Sequence, residues 1–411
     1  MHSYLAVLRM PGAPRAFGTV LLGRLSYGTV FLSLILAITG TTGSYAVAGT
    51  AMALFGLAVS LLSPLRAALI DRYGPRRALP PMAAAYALLL ACLAVVTWRP
   101  EASATLLWPL AAAAGACAPP LGPVMRTLWS DLVPDRASLQ RAYSLDAVAE
   151  ELIFVMGPLL AGLFLLVDPA AGVAVSAVLV LGGTLGFVSC PAVRAMDAVR
   201  TEPREGPARE PSRMWLRGSL PQAVAVSAAV GLCLGVPGLL VVAFAEQRGQ
   251  VAMVAWIEAA QAVGSALGGA VYGAVSWRIS LRVRLPLLAA ALGLALAVAG
   301  LAPNVYALMA VLFVAGVFTA PALTTAYLLA DESAAPEHRT QAGAWVNTAF
   351  NTGFSGGNAA AGLLASRLPL ALCFSIAVIP ALLSTTTTLR RPKRSPEPLA
   401  MTSSVGSGPD E

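Results

Sequence analysis

Five ionisable residues interrupt stretches of this chain that are otherwise apolar: Arg24, Arg126, Asp146, Glu150 and Glu151. Such a group near the centre of a bilayer costs roughly 2.5–3.5 kcal/mol on insertion scales, so each needs a partner or a task. Asp146 and Glu150 stand four apart and share one helical face, with Glu151 about 100° round it. Counted inward at about 1.5 Å per residue, Arg24, Arg126 and Asp146 lie at similar shallow depths, and an Arg–Asp pair is the least costly arrangement of the three. Glu150 lies one turn deeper and has no partner by depth. A carboxyl group keeps its proton when buried and releases it on exposure or beside an arginine. One reading therefore has Glu150 or Asp146 carrying a proton between the two membrane faces. The other has the five residues forming a static network at the inner gate. Glu258 and Gln261, and Asn347 and Asn351, are further polar positions suited to a substrate hydroxyl or to a neighbouring side chain.

Catalytic and metal chemistry has little to stand on. There are two histidines, His2 and His338, and no HExxH, DDxxD or G-x-x-x-x-G-K-[ST] motif. This speaks against a resident metal or cofactor and against an ATP-driven pump, and leaves a polytopic membrane enzyme as a remote alternative. Cys92, Cys117, Cys190, Cys233 and Cys373 form no CxxC and fall inside apolar segments, where they read as small packing residues.

The elements that must position these residues are about twelve apolar segments. Of the 411 residues, 57% are hydrophobic and 11% charged, against roughly 25% charged in soluble domains. A mean hydropathy of +0.75 points to lipid as the solvent. Spans are predicted at about 17–40, 44–65, 79–97, 103–128, 139–166 and 170–192, then 219–243, 251–275, 285–302, 305–330, 340–365 and 368–389, each near the ~20 residues that cross a hydrocarbon core. Backbone amides in lipid must be satisfied within the span, so these are helices. Strands of alternating hydrophobicity, the mark of a β-barrel, are absent from the pattern.

Arginines fix the orientation. They cluster before the first span, at Arg72, Arg76 and Arg77, at Arg136 and Arg141, between Arg194 and Arg217, at Arg278–Arg284, at Arg339 and at Arg390–Arg394. The alternate loops hold Arg99, Arg248 and Arg367. Both termini are thus expected in the cytoplasm of a multi-pass plasma-membrane protein. The expected divisions are a first six-helix half at 1–193, a linker at 194–218, a second half at 219–390 and a disordered tail at 391–411. This asymmetry accounts for the net charge of +7 without nucleic acid as a partner. The first apolar run is too long for a cleavable signal peptide.

The chain also repeats itself. Pro120–Phe154 and Pro321–Phe354 each carry an acidic turn, then P-[DE]-(x)-R, then a helix with polar residues four apart. At an offset of 201, Asp131 falls on Glu332, Asp146 on Asn347 and Glu150 on Asn351. Parallel repeats of this kind occur in transporters. Between spans two and three stand Ala67, Ala68, Leu69, Ile70, Asp71, Arg72, Tyr73, Gly74, Pro75, Arg76 and Arg77.

On these residues the chain resembles the major facilitator superfamily, which writes that loop as G-x-L-x-D-R-x-G-R-R-R; Ala67 and Pro75 are the departures. The resemblance runs to about residue 390. It implies an all-α integral membrane protein of twelve helices in two six-helix pseudo-repeats, and a latch between the halves at Asp71, Arg72, Gly74, Arg76 and Arg77. Gly157, Pro158 and Gly162 partly match the fifth-helix motif of the family's drug/proton antiporters. The small-residue pairs Gly264/Gly268, Gly269/Gly273 and Gly353/Gly357 are expected where the halves meet. The fourth-helix arginine of proton-coupled exporters is missing, since Ala111–Gly115 occupy its register.

By the same resemblance spans one, four, seven and ten line the cavity. They supply Ser26, Tyr27, Thr29 and Ser33, then Met125 and Arg126, then Thr319, Thr324, Thr325 and Tyr327, a wall suited to a lipophilic or weakly polar solute. The expected function is a secondary transporter working by alternating access, a monomer without cofactor that exports hydrophobic compounds against protons. A facilitator or importer of a sugar-like metabolite is the alternative.

Overall fold

The computed structural model describes residues 4–99, 102–164, 166–201, 219–365 and 367–389; the expected tail and most of the linker lie outside them. A short helix α1 (Tyr4–Leu8) precedes the first set: α2 (Ala13–Thr42), α3 (Tyr45–Tyr73), α4 (Pro75–Trp98), α5 (Ala104–Cys117), α6 (Leu121–Leu132), α7 (Arg136–Phe164) and α8 (Pro169–Val188). Helix α9 (Pro191–Thr201) follows, so the start of the expected linker is helical, with Val193 and Met196 buried. The second set is α10 (Leu220–Glu246), α11 (Met253–Ala274), α12 (Leu281–Ala299), α13 (Val305–Ser333), α14 (Arg339–Ala365), α15 (Leu370–Ala377) and α16 (Ile379–Leu389).

Among the described residues, ten helical spans are long and apolar enough to cross a membrane, with α5 and α6 forming one of them. The eleventh crossing is α14, 27 residues long and studded with Asn347, Asn351 and Asn358. The twelfth is divided at Val378 into α15 and α16. Side-chain caps set several starts: Ser44 accepts from the Val47 amide, Asp168 from Ala170 and Asn304 from Ala307. Gly74, at φ 81°, turns the chain from α3 into α4 in a conformation only glycine adopts without strain.

Helices pair most closely where glycines let backbones touch, α10 along α14, α11 along α13 and α2 along α8. A Cβ on Gly264 or Gly268 would meet the carbonyl of Phe313 or Val317 on α13, and one on Gly353 or Gly357 that of Ala228 or Leu232 on α10. These two pairs therefore pack inside their own half, contrary to the expectation that they join the halves. Gly269 and Gly273, rotated about 140° from Gly264 and Gly268, do face Ser144 and Val148 of α7.

Candidate functional site

Four charged side chains from three helices of the first set close into one network. Arg24 (α2) holds both Asp146 (α7) oxygens, Nη1 to Oδ1 at 2.7 Å and Nη2 to Oδ2 at 3.3 Å. Arg126 (α6) places Nε 3.0 Å from Asp146 Oδ2 and Nη2 2.6 Å from Glu150 Oε2. Asp146 is fully buried, while the Glu150 side chain keeps 35% of its exposure. Two guanidinium and two carboxylate groups balance, which such burial demands. Glu150 thus has the partner that depth counting denied it, because a guanidinium on a long stem spans the 5.4 Å of a turn. The network reaches the second set through Tyr327 (α13), whose ring lies 3.7 Å from the Arg126 guanidinium and whose hydroxyl donates to Asn347 (α14) at 3.4 Å. Glu151 takes no part in it and accepts from Ser265 (α11) at 2.7 Å.

The two sets are clasped at the arginine-rich end. Asp71 Oδ2 accepts the Gln341 amide at 2.9 Å, at the open N-terminus of α14 where a carboxylate is favoured. Arg72, Arg76 and Arg77 stay exposed, so within the expected latch Asp71 makes this bond and Gly74 the turn. The repeated motif arginines cross over: Arg339 reaches Ser130 (2.7 Å) and Asp131 (3.4 Å), while Arg136 reaches Glu332 (3.2 Å). Gln140 donates to the carbonyls of Tyr272 and Val275 and accepts from Arg284. Pro64 cannot offer the amide that would bond the Ser60 carbonyl, and Thr348 of α14 donates to it instead at 2.8 Å. Tyr4 of α1 donates to the Ala270 carbonyl at 2.5 Å. Burial pushes the Tyr4 phenol above its ordinary value, with Arg141 pulling the other way, so it remains a donor at neutral pH.

A cleft of about 210 Å³ lies among α10, α11, α13 and α14 of the second set, with Glu151 of α7, among the described residues, as its one lining residue from the first. Glu151, Glu258, Gln261, Ser265 and Thr319 supply its polar wall, and Leu234, Ile257, Leu312 and Phe354 are among its apolar lining. Of the residues nominated from sequence, Glu258, Gln261 and Thr319 belong to it, and Glu151 joins them from the expected network. Ser33 does not: it is buried in α2 against Gly172 of α8, and Thr29 bonds Ser176 there at 2.7 Å. Thr324 is buried in α13, Asn351 is half-buried, and Tyr27 turns to the joint between α5 and α6. Composition could not show which helical face looks into the cleft.

That joint holds a residue that sequence reasoning missed. Pro119, Pro120 and Pro123 lack the amides that would bond the carbonyls of Gly115, Ala116 and Pro119 in a continuous helix. Arg66 of α3, 5% exposed, donates through Nη1 to Gly115 (2.6 Å) and Ala116 (3.0 Å), and through Nη2 to Val59 (2.5 Å). The Tyr27 hydroxyl donates to Pro119. The signal was present as a P-P-x-x-P run inside an apolar segment facing an arginine inside another. Arg66 thus brings a guanidinium to the Gly115 register, where the expected fourth-helix arginine is missing.

Two sets of membrane helices, clasped at the arginine-rich end and holding a cleft of mixed polar and apolar lining, are the architecture of a multi-pass membrane transporter rather than an enzyme. The chain belongs to the major facilitator superfamily, whose family model matches residues 16–249 and 223–406. No curated protein matches it in sequence. It is similar in structure to a bacterial homologue of the iron transporter ferroportin in its outward-facing state with soaked iron (TM-score 0.71, 17% identity, 92% of this chain and 99% of that one). It is also similar to the human organic anion transporter MFSD10 (TETRAN; TM-score 0.67, 17% identity, 91% and 99%). A third similar structure is the E. coli fucose:proton symporter (TM-score 0.61, 12% identity, 94% and 99%). Likeness at these identities is a likeness of fold.

Proposed function

We propose that this chain is a proton-coupled exporter of hydrophobic small molecules that works by alternating access as a monomer in the plasma membrane, with its arginine-rich end in the cytoplasm. The observation that carries this reading is the adjacency of Glu150 and Glu151. One carboxyl belongs to the ion-pair network and the next lines an otherwise largely apolar cleft. Solute arriving beside Glu151 and a proton arriving at Glu150 act on a single turn of α7, so occupancy of the cleft and charge in the network are felt together. A proton lost from Glu150 strengthens its bond to Arg126, and a proton gained weakens it, at a guanidinium that already lies on the Tyr327 ring of the second set. The bonds that close the arginine-rich end support reading this arrangement as the state that releases an exported solute. Among the similar structures one is named a proton symporter, which fits proton coupling on this fold.

The test is proton flux in proteoliposomes holding a pH-sensitive dye, under an imposed proton gradient, with lipophilic cations, antibiotics and sugars added in turn. Flux evoked by lipophilic compounds and abolished in Glu150→Gln is the expected result. Solute uptake without proton movement would overturn the coupling and make the chain a facilitator, and a response to sugars alone would overturn the substrate class.

A further inference from the structure

Helix α6, which carries part of the clasp, packs against other helices than α5 does, although the two form one membrane span. Helix α5 packs on α3 and α4, whereas α6 packs on α2, α7, α9 and α14. Through Thr127, Ser130 and Asp131 the α6 side chains meet Thr340 and Arg339 of the second set, and Arg126 carries the ion-pair network. Three residues, Ala118–Pro120, join the two pieces, and two of them have no amide to give. A break of this kind inside a bilayer leaves carbonyls that nothing else in lipid can satisfy, so it survives only if protein donors reach it.

We propose that Arg66 is a positioning residue for transport. It bonds the carbonyl of Ala116 and adds a charged donor to that of Gly115, which otherwise has only a long bond from the Ala118 amide, and so steadies a joint about which α6 swings as the moving part of the clasp while α5 stays on α3. The match is specific: the two carbonyls bonded by Arg66 Nη1 are those four residues before the two prolines, and Tyr27 takes the one four residues before Pro123. Arg66 has no carboxylate partner among the described residues, so its charge is stabilised by carbonyl dipoles alone. A lysine offers one compact ammonium in place of a two-armed fork and satisfies this arrangement only in part. A solvated surface arginine would have no reason to lie 5% exposed in α3 with three main-chain acceptors. The proposal rests on the alternating-access reading for its motion, but the joint itself does not.

The test is amide hydrogen exchange on the full-length protein in lipid nanodiscs, comparing wild type, Arg66→Lys, Arg66→Met and the double variant Pro119→Ala/Pro120→Ala. The Gln341 amide, bonded to Asp71, reports how often the clasp opens. In wild type the amides of 121–132 are expected to exchange as a unit distinct from those of 104–117. Arg66→Met is expected to speed exchange at Gln341 by about tenfold, the scale of losing a hydrogen bond to a charged group, with Arg66→Lys intermediate. The double variant rebuilds a continuous helix and is expected to slow Gln341 exchange. A merely structural role would move all variants in one direction, and this result would overturn the proposal. Exchange of α5 and α6 as one unit in wild type would overturn it as well, and the double variant decides the matter even where Arg66→Met fails to fold. If α5 and α6 separate as expected and the vesicles carry nothing, alternating access fails and the joint stands.

Discussion

Asp146 is the residue on which the buried charges depend, because Arg24 and Arg126 both lean on it and it has no exposure of its own. Replacing it by asparagine leaves two arginines facing a neutral amide. Breaking a buried pair from one side costs about 3–5 kcal/mol, so Asp146→Asn should lower the thermal unfolding midpoint in detergent far more than Glu150→Gln, which leaves Arg126 its bond to Asp146. Equal shifts in the two variants would mean that Asp146 is not the hub. The Arg24–Asp146 pairing was legible in the sequence, since helical rise alone puts the two at one depth. The partner of Glu150 was not, because counting Cα positions ignores the reach of a guanidinium. Ser33 was misplaced for another reason. Its hydroxyl and that of Thr29 stand four apart, a spacing that identifies a shared face but does not say what that face meets, and here it meets α8.

Proline and glycine decide how the elements behave. Prolines 64, 119, 120 and 123 each withhold an amide, and the carbonyls of Ser60, Gly115, Ala116 and Pro119 are answered by Thr348, Arg66 and Tyr27. The length of the apolar runs located the helices and their approximate limits. It could not show that span four is two pieces, because apolar content continues unbroken across Ala118–Pro120. The glycines separate in the same way. Gly268 lies against the Val317 carbonyl, so Gly268→Leu must push α11 off α13; overpacking of this kind costs about 1–3 kcal/mol or more. Gly162 has open space within 4 Å of its Cβ position, and Gly162→Leu should fold as wild type. Size-exclusion profiles of the two variants check the contrast, and a monodisperse Gly268→Leu would refute the close contact.

At the scale of the molecule, the internal repeat becomes a pair of crossed clasps: the arginine of each P-[DE]-(x)-R motif reaches the acidic turn of the other half. The two are unequal. Arg136 is 82% exposed and so contributes ~1 kcal/mol or less, while Arg339 is largely covered and engages Ser130, Asp131 and Asp331. The repeat was visible in the sequence, but the exchange of partners was not, since a motif does not say which copy it will meet. Asp71 completes the closure, and Asp71→Asn should keep the fold while weakening the charge that holds the α14 N-terminus. About 1 kcal/mol there corresponds to roughly fivefold faster exchange of the Gln341 amide, and unchanged exchange would remove Asp71 from the closure. The contact between Tyr4 and the Ala270 carbonyl has a practical side. At the head of α1, ahead of the first membrane span, a single phenol already lies in the seam between the halves. A purification tag or fluorescent fusion placed ahead of it would therefore tug on the equilibrium it was meant only to observe, and handles for this protein belong elsewhere.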